Sequence, residues 1–434
     1  MTPGSQIGVV GAGYVGLVTA LGLAEAGFDI VVSEADGRRL DGLRRQEIPF
    51  FEPGLFDLLT KHATQRRIRF TASNADAAQA SPMVFIAVPT PANENGDADL
   101  SIVERVVDEV APTMAPGSVL VIKSTVPPGT GDRLQARIAV IAPDVEVVSN
   151  PEFLRQGRAV ADTLQPDRVV IGGVSEAAID RVASLYSGAS TRIVRTDRTT
   201  AELTKHAANA YLAVRLSFVN ATANLAEAVD ADIDEVLEGL GLDPRIGRGF
   251  LSPGPGFGGS CLPKDSRALL AAAADAGFDF GVLRAAIAAN DAQAPRMVDK
   301  IERAAGTLDG ARVAMWGVAF KAGTDDTRES PALRVARILA DRGASVVACD
   351  PMVTDFPTFI TVVDDPLDAV DGADVLVVAT EWPAFLDVEL KEVAARMARP
   401  RIVDMRNLLD ADEAARAGFD YVGVGRRPAG PAFT

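Results

Sequence analysis

The feature that most constrains the fold is a glycine-rich turn between an apolar strand and a helix near the start of the chain. Residues 7–10 form a short apolar run, and Gly-Ala-Gly-Tyr-Val-Gly follows directly at residues 11–16. A second apolar run at residues 30–33 leads into Glu34. This order of strand, G-x-G-x-x-G turn, helix, strand and acid is typical of the βαβ unit that binds dinucleotides.

The residue types in this unit indicate which dinucleotide to expect. Gly11 and Gly13 permit a tight turn and the close approach of a pyrophosphate, and Gly16 lets the helix pack against the strand. Glu34 stands where a carboxylate bonds the ribose hydroxyls, and its charge would repel a 2′-phosphate. We therefore predict NAD rather than NADP, although Arg38 and Arg39 are close enough in sequence to weaken the preference for NAD. The alternative interpretation is a glycine-rich turn that binds no ligand.

Further apolar runs predict that the sheet continues and place polar residues at one edge. Three such runs between residues 84 and 148 are each followed by a polar residue, namely Thr90, Thr125 and Glu152. Ligands of open α/β sheets gather beyond the carboxyl ends of the strands. We expect these three residues at a ligand site, and each has the alternative of being a cap or turn residue.

A long helix is predicted in the middle of the chain. Residues 189–238 contain neither glycine nor proline, and Thr199 or Thr200 is the expected N-cap. Lys205 and Asn209 are four residues apart and therefore share one helical face. A lysine in such a position is more often a solvated surface residue than a functional one.

A second α/β region begins near Gly310. Apolar runs near residues 313, 346, 375 and 402 predict a smaller parallel sheet, with Cys349 as an inert residue inside one strand. The fold class expected for the whole chain is therefore α/β, with two Rossmann-like, doubly wound parallel-sheet domains joined by a long central helix.

The stretch from residue 254 to residue 265, GPGFGGSCLPKD, surrounds one cysteine with four glycines. Pro263 and Asp265 are typical of the first turn of a helix, so Cys261 is predicted to lie at its positive end. Such a position favours the nucleophilic thiolate. A buried and inert cysteine in a tightly packed loop is the alternative.

Composition narrows the possible partners. The chain has 434 residues and a net charge of −16, which argues against nucleic-acid binding. No apolar run approaches the roughly 20 residues that cross a bilayer, and no signal peptide is apparent. Two cysteines do not make a disulfide framework and suit the cytoplasm. No cysteine–histidine cluster indicates a metal, so we expect neither metal nor membrane.

Together these motifs resemble the UDP-glucose/GDP-mannose dehydrogenase family. The resemblance runs from about residue 7 to residue 407. It rests on the glycine-rich turn, on Lys205 with Asn209, and on the following segments: Glu52-Pro53-Gly54-Leu55, VPTP at 88–91, STVP at 124–127, NPEFL at 150–154, DPRIG at 243–247, FGGSCLPKD at 257–265 and AFK at 319–321 with TDDTRESP at 324–331.

The resemblance implies three segments and one reaction. Residues 1–198 would be an NAD-binding Rossmann domain, residues 199–300 a helical linker with the cysteine loop and the dimer contact, and residues 301–434 a Rossmann-like domain for the nucleotide sugar. The family oxidises the C6 alcohol of a nucleotide sugar to a carboxylate, a four-electron reaction that uses NAD. A UDP-sugar substrate and a homodimer or higher homo-oligomer are therefore expected.

The resemblance also implies roles for individual residues. Cys261 would be the nucleophile that forms a thiohemiacetal and then a thioester. The other expected catalytic residues are Lys205 and Asn209 at the oxyanion, Asp265 and Thr125 at the catalytic water, and Glu152 in proton transfer. The expected cofactor-binding residues are Gly11, Gly13, Tyr14, Val15, Gly16, Glu34, Arg39, Thr90, Thr125, Gln156, Lys264 and Arg328. The expected substrate-binding residues are Glu152, Phe153, Leu154, Arg155, Gln156, Lys205, Asn209, Arg245, Phe250, Leu251, Ser252, Pro253, Gly254, Gly258, Lys321 and Arg406.

This chain departs from the family pattern at Gln156, where a second glutamate is usual, and at Glu34, where aspartate is usual. The cysteine loop favours the branch of the family that oxidises UDP-glucose. Two alternatives stay open: the same chemistry on UDP-N-acetylglucosamine, UDP-N-acetylmannosamine or GDP-mannose, or a catalytically silent protein that binds a nucleotide sugar. Intact Cys261, Lys205, Asn209 and Asp265 argue against the silent protein.

Overall fold

The computed structural model describes residues 2, 4–79, 81–91, 93 and 98–430. Contacts divide the chain into two compact units. The first unit contains residues 1–208 and 267–278, and the second contains residues 209–266 and 279–434. The predicted three-part division at residues 198 and 300 stays a prediction.

The first unit is built on an eight-stranded sheet. Its strands are β1 Gln6–Val10, β2 Asp29–Ser33, β3 Ile68–Thr71, β4 Met83–Ile86, β5 Val119–Ile122, β6 Glu146–Ser149, β7 Arg168–Gly172 and β8 Arg192–Thr196. Their order is β3-β2-β1-β4-β5-β6-β7-β8, and the first six follow the Rossmann order. All neighbours are parallel except β6 and β7, which meet in an antiparallel bridge between Ser149 and Gly172. The central strands β4 and β5 are buried along their whole length, as parallel strands covered on both faces are.

The second unit repeats this order with six strands. They are β9 Arg312–Trp316, β10 Ser345–Cys349, β11 Ile360–Val362, β12 Val375–Val378, β13 Arg401–Asp404 and β14 Asp420–Val422, arranged as β11-β10-β9-β12-β13-β14 and all parallel. Cys349 is buried, and burial raises the pKa of its thiol to about 12, which agrees with an inert side chain. The predicted fold class is confirmed, including the helix between the two sheets.

Sixteen α-helices are described in residues 2–430, outside the gaps given above. They are α1 Tyr14–Glu25, α2 Gly37–Arg44, α3 Leu55–Thr64, α4 Asn74–Ala78, α5 Ser101–Val110, α6 Thr130–Ile138, α7 Ala159–Leu164, α8 Glu176–Ala183, α9 Arg198–Ala228, α10 Ile233–Gly241, α11 Leu262–Asp275, α12 Gly281–Ala305, α13 Pro331–Asp341, α14 Pro366–Val370, α15 Leu390–Arg396 and α16 Ala411–Arg416. Within the described part of the chain, no helix is both long and apolar enough to cross a membrane.

In both sheets, a glycine directly after the first strand donates a hydrogen bond to the last carbonyl of the second strand. In the first sheet, the N–H of Gly11 donates to the carbonyl of Ser33 at 2.9 Å, and in the second the N–H of Gly317 donates to the carbonyl of Cys349 at 2.8 Å. The residue after each second strand is acidic. Asp350 accepts the N–H groups of Val318, Ala319, Met352 and Val353 and the indole N–H of Trp382, so five donors surround this carboxylate.

The long helix α9 begins earlier than predicted. Asp197 is its cap, because its Oδ1 accepts the N–H of Thr200 at 2.8 Å and its Oδ2 accepts the Thr200 hydroxyl at 2.7 Å. Thr199 and Thr200 already lie inside the helix, so the predicted N-cap was wrong. An aspartate two residues upstream accepts the same bonds, which moves the helix start.

A buried carboxylate fastens α9 to the first sheet. Glu202 is 3% exposed and accepts the N–H of Gly129 at 2.7 Å, the N–H of Gly131 at 2.8 Å and the hydroxyl of Ser149 at 2.7 Å. Burial raises the pKa of Glu202, and these three donors oppose that effect. The donors lie at the start of α6 and at the end of β6, so Glu202 ties three elements together.

We expect Glu202→Ala to lower the free energy of unfolding of the first unit by on the order of 3 kcal/mol, because two buried donors and one half-buried donor lose their acceptor. The first thermal transition should fall by about 6–12 °C. The matched control is Thr204→Ala, which removes only a bond to the carbonyl of Thr200 on the same helix. Equal midpoints for the two variants would contradict the anchoring role of Glu202.

Candidate active site

The glycine-rich turn has the shape that a dinucleotide requires. Gly11 has a φ of +96°, and a Cβ there would lie 2.6 Å from the carbonyl oxygen of Ala87. A Cβ on Gly16 would lie 1.9 Å from the carbonyl oxygen of Gly11. By contrast, a Cβ on Gly13 would meet no atom within 4 Å. Gly11 and Gly16 are therefore needed by the protein itself, and the open face of Gly13 suits a pyrophosphate, so these residues fit NAD.

Glu34 lies directly after β2 and is held against this turn. Its Oε2 accepts the N–H of Ala12 at 3.2 Å and pairs with Nη1 of Arg39 at 3.3 Å, and its Oε1 accepts the N–H of Asp36 at 2.8 Å. Arg39 therefore contacts the carboxylate that is predicted to select NAD. A carboxylate has about four acceptor sites, so Glu34 can still accept a ribose hydroxyl.

The predicted residues at the strand ends of the first unit make two separate contacts, Glu152 with Lys205 and Thr90 with Thr125. Nζ of Lys205 is 2.9 Å from Oε1 of Glu152, and both side chains are almost fully buried. The other oxygen of Glu152 accepts the N–H of Leu154 at 2.5 Å, which fixes the carboxylate to its own segment. The hydroxyl of Thr90 donates to the carbonyl of Thr125 at 2.8 Å. Lys205 is thus not the solvated lysine of the alternative interpretation.

The segment after Glu152 is fixed by local contacts. Arg155 donates to Asp162 through its backbone N–H and through its guanidinium, at 2.5 to 2.9 Å. The ring of Phe153 lies 3.8 Å from Cζ of Arg168. Both the backbone N–H and the guanidinium of Arg155 are therefore engaged with Asp162, and its predicted contact with the sugar stays a prediction.

A second buried lysine lies next to this segment. Lys123 donates to Oδ1 of Asn150 at 3.1 Å, and Tyr186 donates to the same oxygen at 2.8 Å. A cavity of about 330 Å³ is lined by Lys123, Asn150, Glu152 and Tyr186. Burial lowers the pKa of Lys123 to about 8; nearby Glu152 opposes this shift, and nearby Lys205 adds to it. The sequence analysis did not single out Lys123.

In the second unit, Cys261 is exposed and precedes α11. The N–H of Asp265 donates to the carbonyl of Cys261 at 2.8 Å, which closes the first helical turn. Cys261 therefore lies at the positive end of α11, as predicted, and it is not the buried cysteine of the alternative interpretation. The buried carboxylate of Asp265 accepts Nδ2 of Asn209 at 2.6 Å and Nζ of Lys264 at 2.6 Å.

Three side-chain amides that the sequence analysis missed hold the glycine loop. Asn220 accepts the N–H of Gly254 at 2.8 Å, and Gln293 donates to the carbonyl of Gly254 at 2.9 Å. Asn290 accepts the N–H of Phe257 at 2.7 Å and donates to its carbonyl at 3.2 Å. One sequence signal exists: Asn290 and Gln293 are three residues apart and so share a face of α12. This spacing is too common in helices to indicate a function.

Two more predicted residues of the second unit lie at this loop, since Gly258 belongs to it and Arg406 contacts it. A Cβ on Gly258 would be 2.1 Å from the carbonyl oxygen of Glu329, so no larger residue fits there. Arg406 donates to the carbonyls of Ala379 and Phe320, and it also lies against Gly254. Lys321 follows Phe320, with Nζ 5.7 Å from the centre of its ring.

Two further arginines are each held by an aspartate two residues earlier. Arg328 pairs with Asp326, which is the main reason why the pKa of Arg328 is raised, and Cys261 adds to that effect. Arg245 pairs with Asp243 and is largely exposed. Phe250 has a φ of +56°, which is uncommon for an aromatic residue. The binding roles of these residues, and of Leu251, Ser252 and Pro253, stay predictions.

Comparisons with known proteins agree over nearly the whole chain. Three sequence models of the UDP-glucose/GDP-mannose dehydrogenase family match: the NAD binding domain at residues 5–190, the central domain at 199–292 and the UDP binding domain at 314–411. The UDP-glucose 6-dehydrogenase of Rhizobium meliloti is 41% identical, over 97% of this chain and 99% of that protein. UDP-glucose 6-dehydrogenase TuaD of Bacillus subtilis is 38% identical, over 97% of this chain and 93% of that protein.

Solved structures also match. A UDP-glucose dehydrogenase from Pyrobaculum islandicum superposes with a TM-score of 0.91 at 34% identity, covering 98% of this chain and 100% of that one. A UDP-D-ManNAc dehydrogenase from Pyrococcus horikoshii superposes with a TM-score of 0.88 at 31% identity, covering 97% and 99%.

We expect Lys123→Met to stabilise the first unit at pH 7 by on the order of 3 kcal/mol, because the folded protein disfavours the charged amine. The pKa is lowered on folding from 10.5 to about 8, so this penalty is complete below pH 8 and vanishes above pH 10.5. Denaturant unfolding at pH 7 and pH 10.5 measures the difference. The exposed Lys391→Met is the control, and a gain for Lys123→Met that does not depend on pH would refute the assignment.

Proposed function

The chain belongs to the UDP-glucose/GDP-mannose dehydrogenase family, and from this premise we propose that it oxidises the C6 alcohol of UDP-glucose to give UDP-glucuronate. The chain is an NAD-dependent dehydrogenase, and it binds a UDP-sugar. The observation that carries the proposal is the exposed Cys261 at the start of α11, near the buried carboxylate of Asp265, which accepts hydrogen bonds from Asn209 and Lys264. The choice of UDP-glucose is supported by the names of the curated relatives.

Conversion of an alcohol to an acid removes two hydrides, and NAD accepts one hydride each time it is bound. The first oxidation gives an aldehyde, to which the sulfur of Cys261 adds to form a thiohemiacetal. Loss of the second hydride from that carbon gives a thioester, and water then releases the carboxylate and restores the thiol. The positive end of α11 and the cation of Arg328 favour the thiolate that adds to the aldehyde.

The other proposed catalytic residues act on charge and water. Lys205 and Asn209 would stabilise the oxygen on which negative charge develops. Asp265 and Thr125 would hold the hydrolytic water. Glu152 would accept a proton, because Gln156, which stands where a glutamate is usual, cannot accept one at neutral pH.

The second unit supplies the proposed contacts to the nucleotide sugar. The backbone of residues 250–254, with Lys321 and Arg406, would hold the nucleotide, and Arg245 would reach the sugar of a neighbouring subunit. The amides of Asn220 and Gln293 hold Gly254 on both its N–H and its carbonyl, which preorganises this backbone.

A different nucleotide sugar is the second candidate substrate. The solved UDP-D-ManNAc dehydrogenase of Pyrococcus horikoshii is almost as similar in structure as the UDP-glucose dehydrogenase of Pyrobaculum islandicum. The reaction at C6 would be the same, so only the pocket that receives the sugar would differ.

A homodimer is proposed from one face of α9. Tyr211, Phe218 and Leu225 are each about 60% exposed and recur at intervals of seven residues, so they form one apolar stripe along the helix. A second copy of the chain, packing its own stripe on this one, would remove these side chains from water.

We expect two NADH for each UDP-glucose consumed, followed by absorbance at 340 nm against UDP-glucuronate formed. A panel of UDP-glucose, UDP-N-acetylglucosamine, UDP-N-acetylmannosamine and GDP-mannose identifies the substrate.

Cys261→Ala should form no acid, while its affinity for NADH and for UDP-glucose stays close to that of the parent. Cys349→Ala is the matched control and should leave the stoichiometry at two.

A ratio of one NADH per sugar, with free aldehyde in solution, would overturn the covalent mechanism. Turnover of another sugar in preference to UDP-glucose would overturn only the substrate. Absence of turnover with every sugar would favour the silent binding protein.

We expect Phe218→Glu to convert a homodimer into a monomer, because it puts a charge in the centre of the apolar stripe. Light scattering after size exclusion gives the mass. Leu386→Glu is the control, since Leu386 is a comparably exposed apolar residue that does not belong to α9. A parent that is already monomeric, or a variant that stays dimeric, would rule out the stripe as the interface.

A further inference from the structure

The segment Glu52-Pro53-Gly54-Leu55 was singled out in the sequence, yet the proposed reaction gives it no task. Glu52 is 2% exposed. Its Oε2 accepts the hydroxyl of Tyr14 and the N–H of Gly157 at 2.8 Å, and its Oε1 accepts the N–H of Ala159 at 2.7 Å. A buried carboxylate needs such donors, and these come from two separate parts of the first unit.

One donor belongs to the glycine-rich turn. Tyr14 directly follows Gly13 and is the first residue of α1. Its ring packs against Phe50, with ring centres 4.9 Å apart, so two contacts fix its side chain. Because Tyr14 is joined directly to the turn, a change in the backbone of the turn would move the hydroxyl that donates to Glu52.

The other two donors end the segment that is proposed to bind the sugar. Gly157 has a φ of +80°, and Ala159 is the first residue of α7. Arg158, the residue before α7, provides no side-chain cap, and Glu52 instead accepts the first N–H of this helix. Residues 152–156 are thus held at their far end by a carboxylate from another part of the chain.

We propose that Glu52 is a positioning residue that couples the NAD site to the sugar-binding segment through one shared oxygen. The inference rests on the proposed function and on two roles that the family resemblance implies, Tyr14 at the cofactor and residues 152–156 at the sugar. Oε2 serves the cofactor turn and Gly157 at once, so the position of one donor affects the bond of the other. Coupling of this kind is reciprocal: NADH would tighten sugar binding as much as the sugar tightens NADH binding.

The test is a set of Kd values for UDP-glucose from calorimetry, with and without saturating NADH, which cannot be turned over with this sugar. We expect NADH to lower the Kd of the parent by about 5-fold or more, the usual range for coupled sites. Tyr14→Phe removes only the phenol hydroxyl. Without this donor, the ratio of the two Kd values should fall close to one, because Oε2 of Glu52 no longer contacts the cofactor turn. Glu52→Gln should also bring the ratio of the two Kd values close to one, and it should raise the Kd for the sugar even without NADH.

Tyr186→Phe is the matched control. It removes a buried phenol that donates to Asn150, at the other end of the same segment, without touching the cofactor turn. Its ratio should equal that of the parent, whereas a general loosening of the segment would lower the ratio in both tyrosine variants.

A parent ratio of one, or an unchanged ratio in Tyr14→Phe, would overturn the role of Glu52 and leave the proposed function intact. If another sugar of the panel binds in place of UDP-glucose, the same ratios are measured with that sugar. If no nucleotide sugar binds to the parent, the proposed function fails, and this inference fails with it.

Discussion

The first unit depends on the way in which buried carboxylates are satisfied. Glu202 receives three donors from two elements, and Glu152 receives a lysine and a backbone N–H. Because Glu202 and Lys205 both lie in the first turns of α9, the same few residues fix this helix and place the proposed catalytic lysine. Removing either carboxylate would leave buried donors without an acceptor, which is why structure and chemistry are difficult to separate here.

The thiol in the second unit differs from these buried groups, because Cys261 is exposed while the backbone before it is held by hydrogen bonds. Gly258 has no room for a side chain, and two residues of α12 fix the backbone that precedes the cysteine. The loop is therefore held by contacts to its backbone, which leaves the sulfur accessible. This arrangement suits a nucleophile that must reach a carbon of the substrate and later release it.

Much of this could be predicted from the sequence, because the signals were local. Apolar runs predicted most of the strands of both sheets, although β3, β7, β11 and β14 were missed. The glycine pattern predicted the turn, and Pro263 with Asp265 predicted the start of α11. The cap Asp197 was missed because several neighbouring residues can accept the same bond. Asn220, Asn290 and Gln293 were missed because their partners are backbone groups far away in sequence. The partners of Glu52 could not be predicted for the same reason, because its three donors lie far away in sequence.

The carboxylates that follow the second strand of each sheet, Glu34 and Asp350, differ in how many donors surround them. Asp350 is surrounded by five donors, which exceeds the roughly four acceptor sites of a carboxylate. Glu34 receives three and keeps room for a hydroxyl. The shared topology therefore does not give two equivalent dinucleotide sites, because only one of the two acids can still accept a ribose. In the proposed reaction, NADH would therefore have to leave this one site and a second NAD enter it. The sugar would have to stay bound during this exchange.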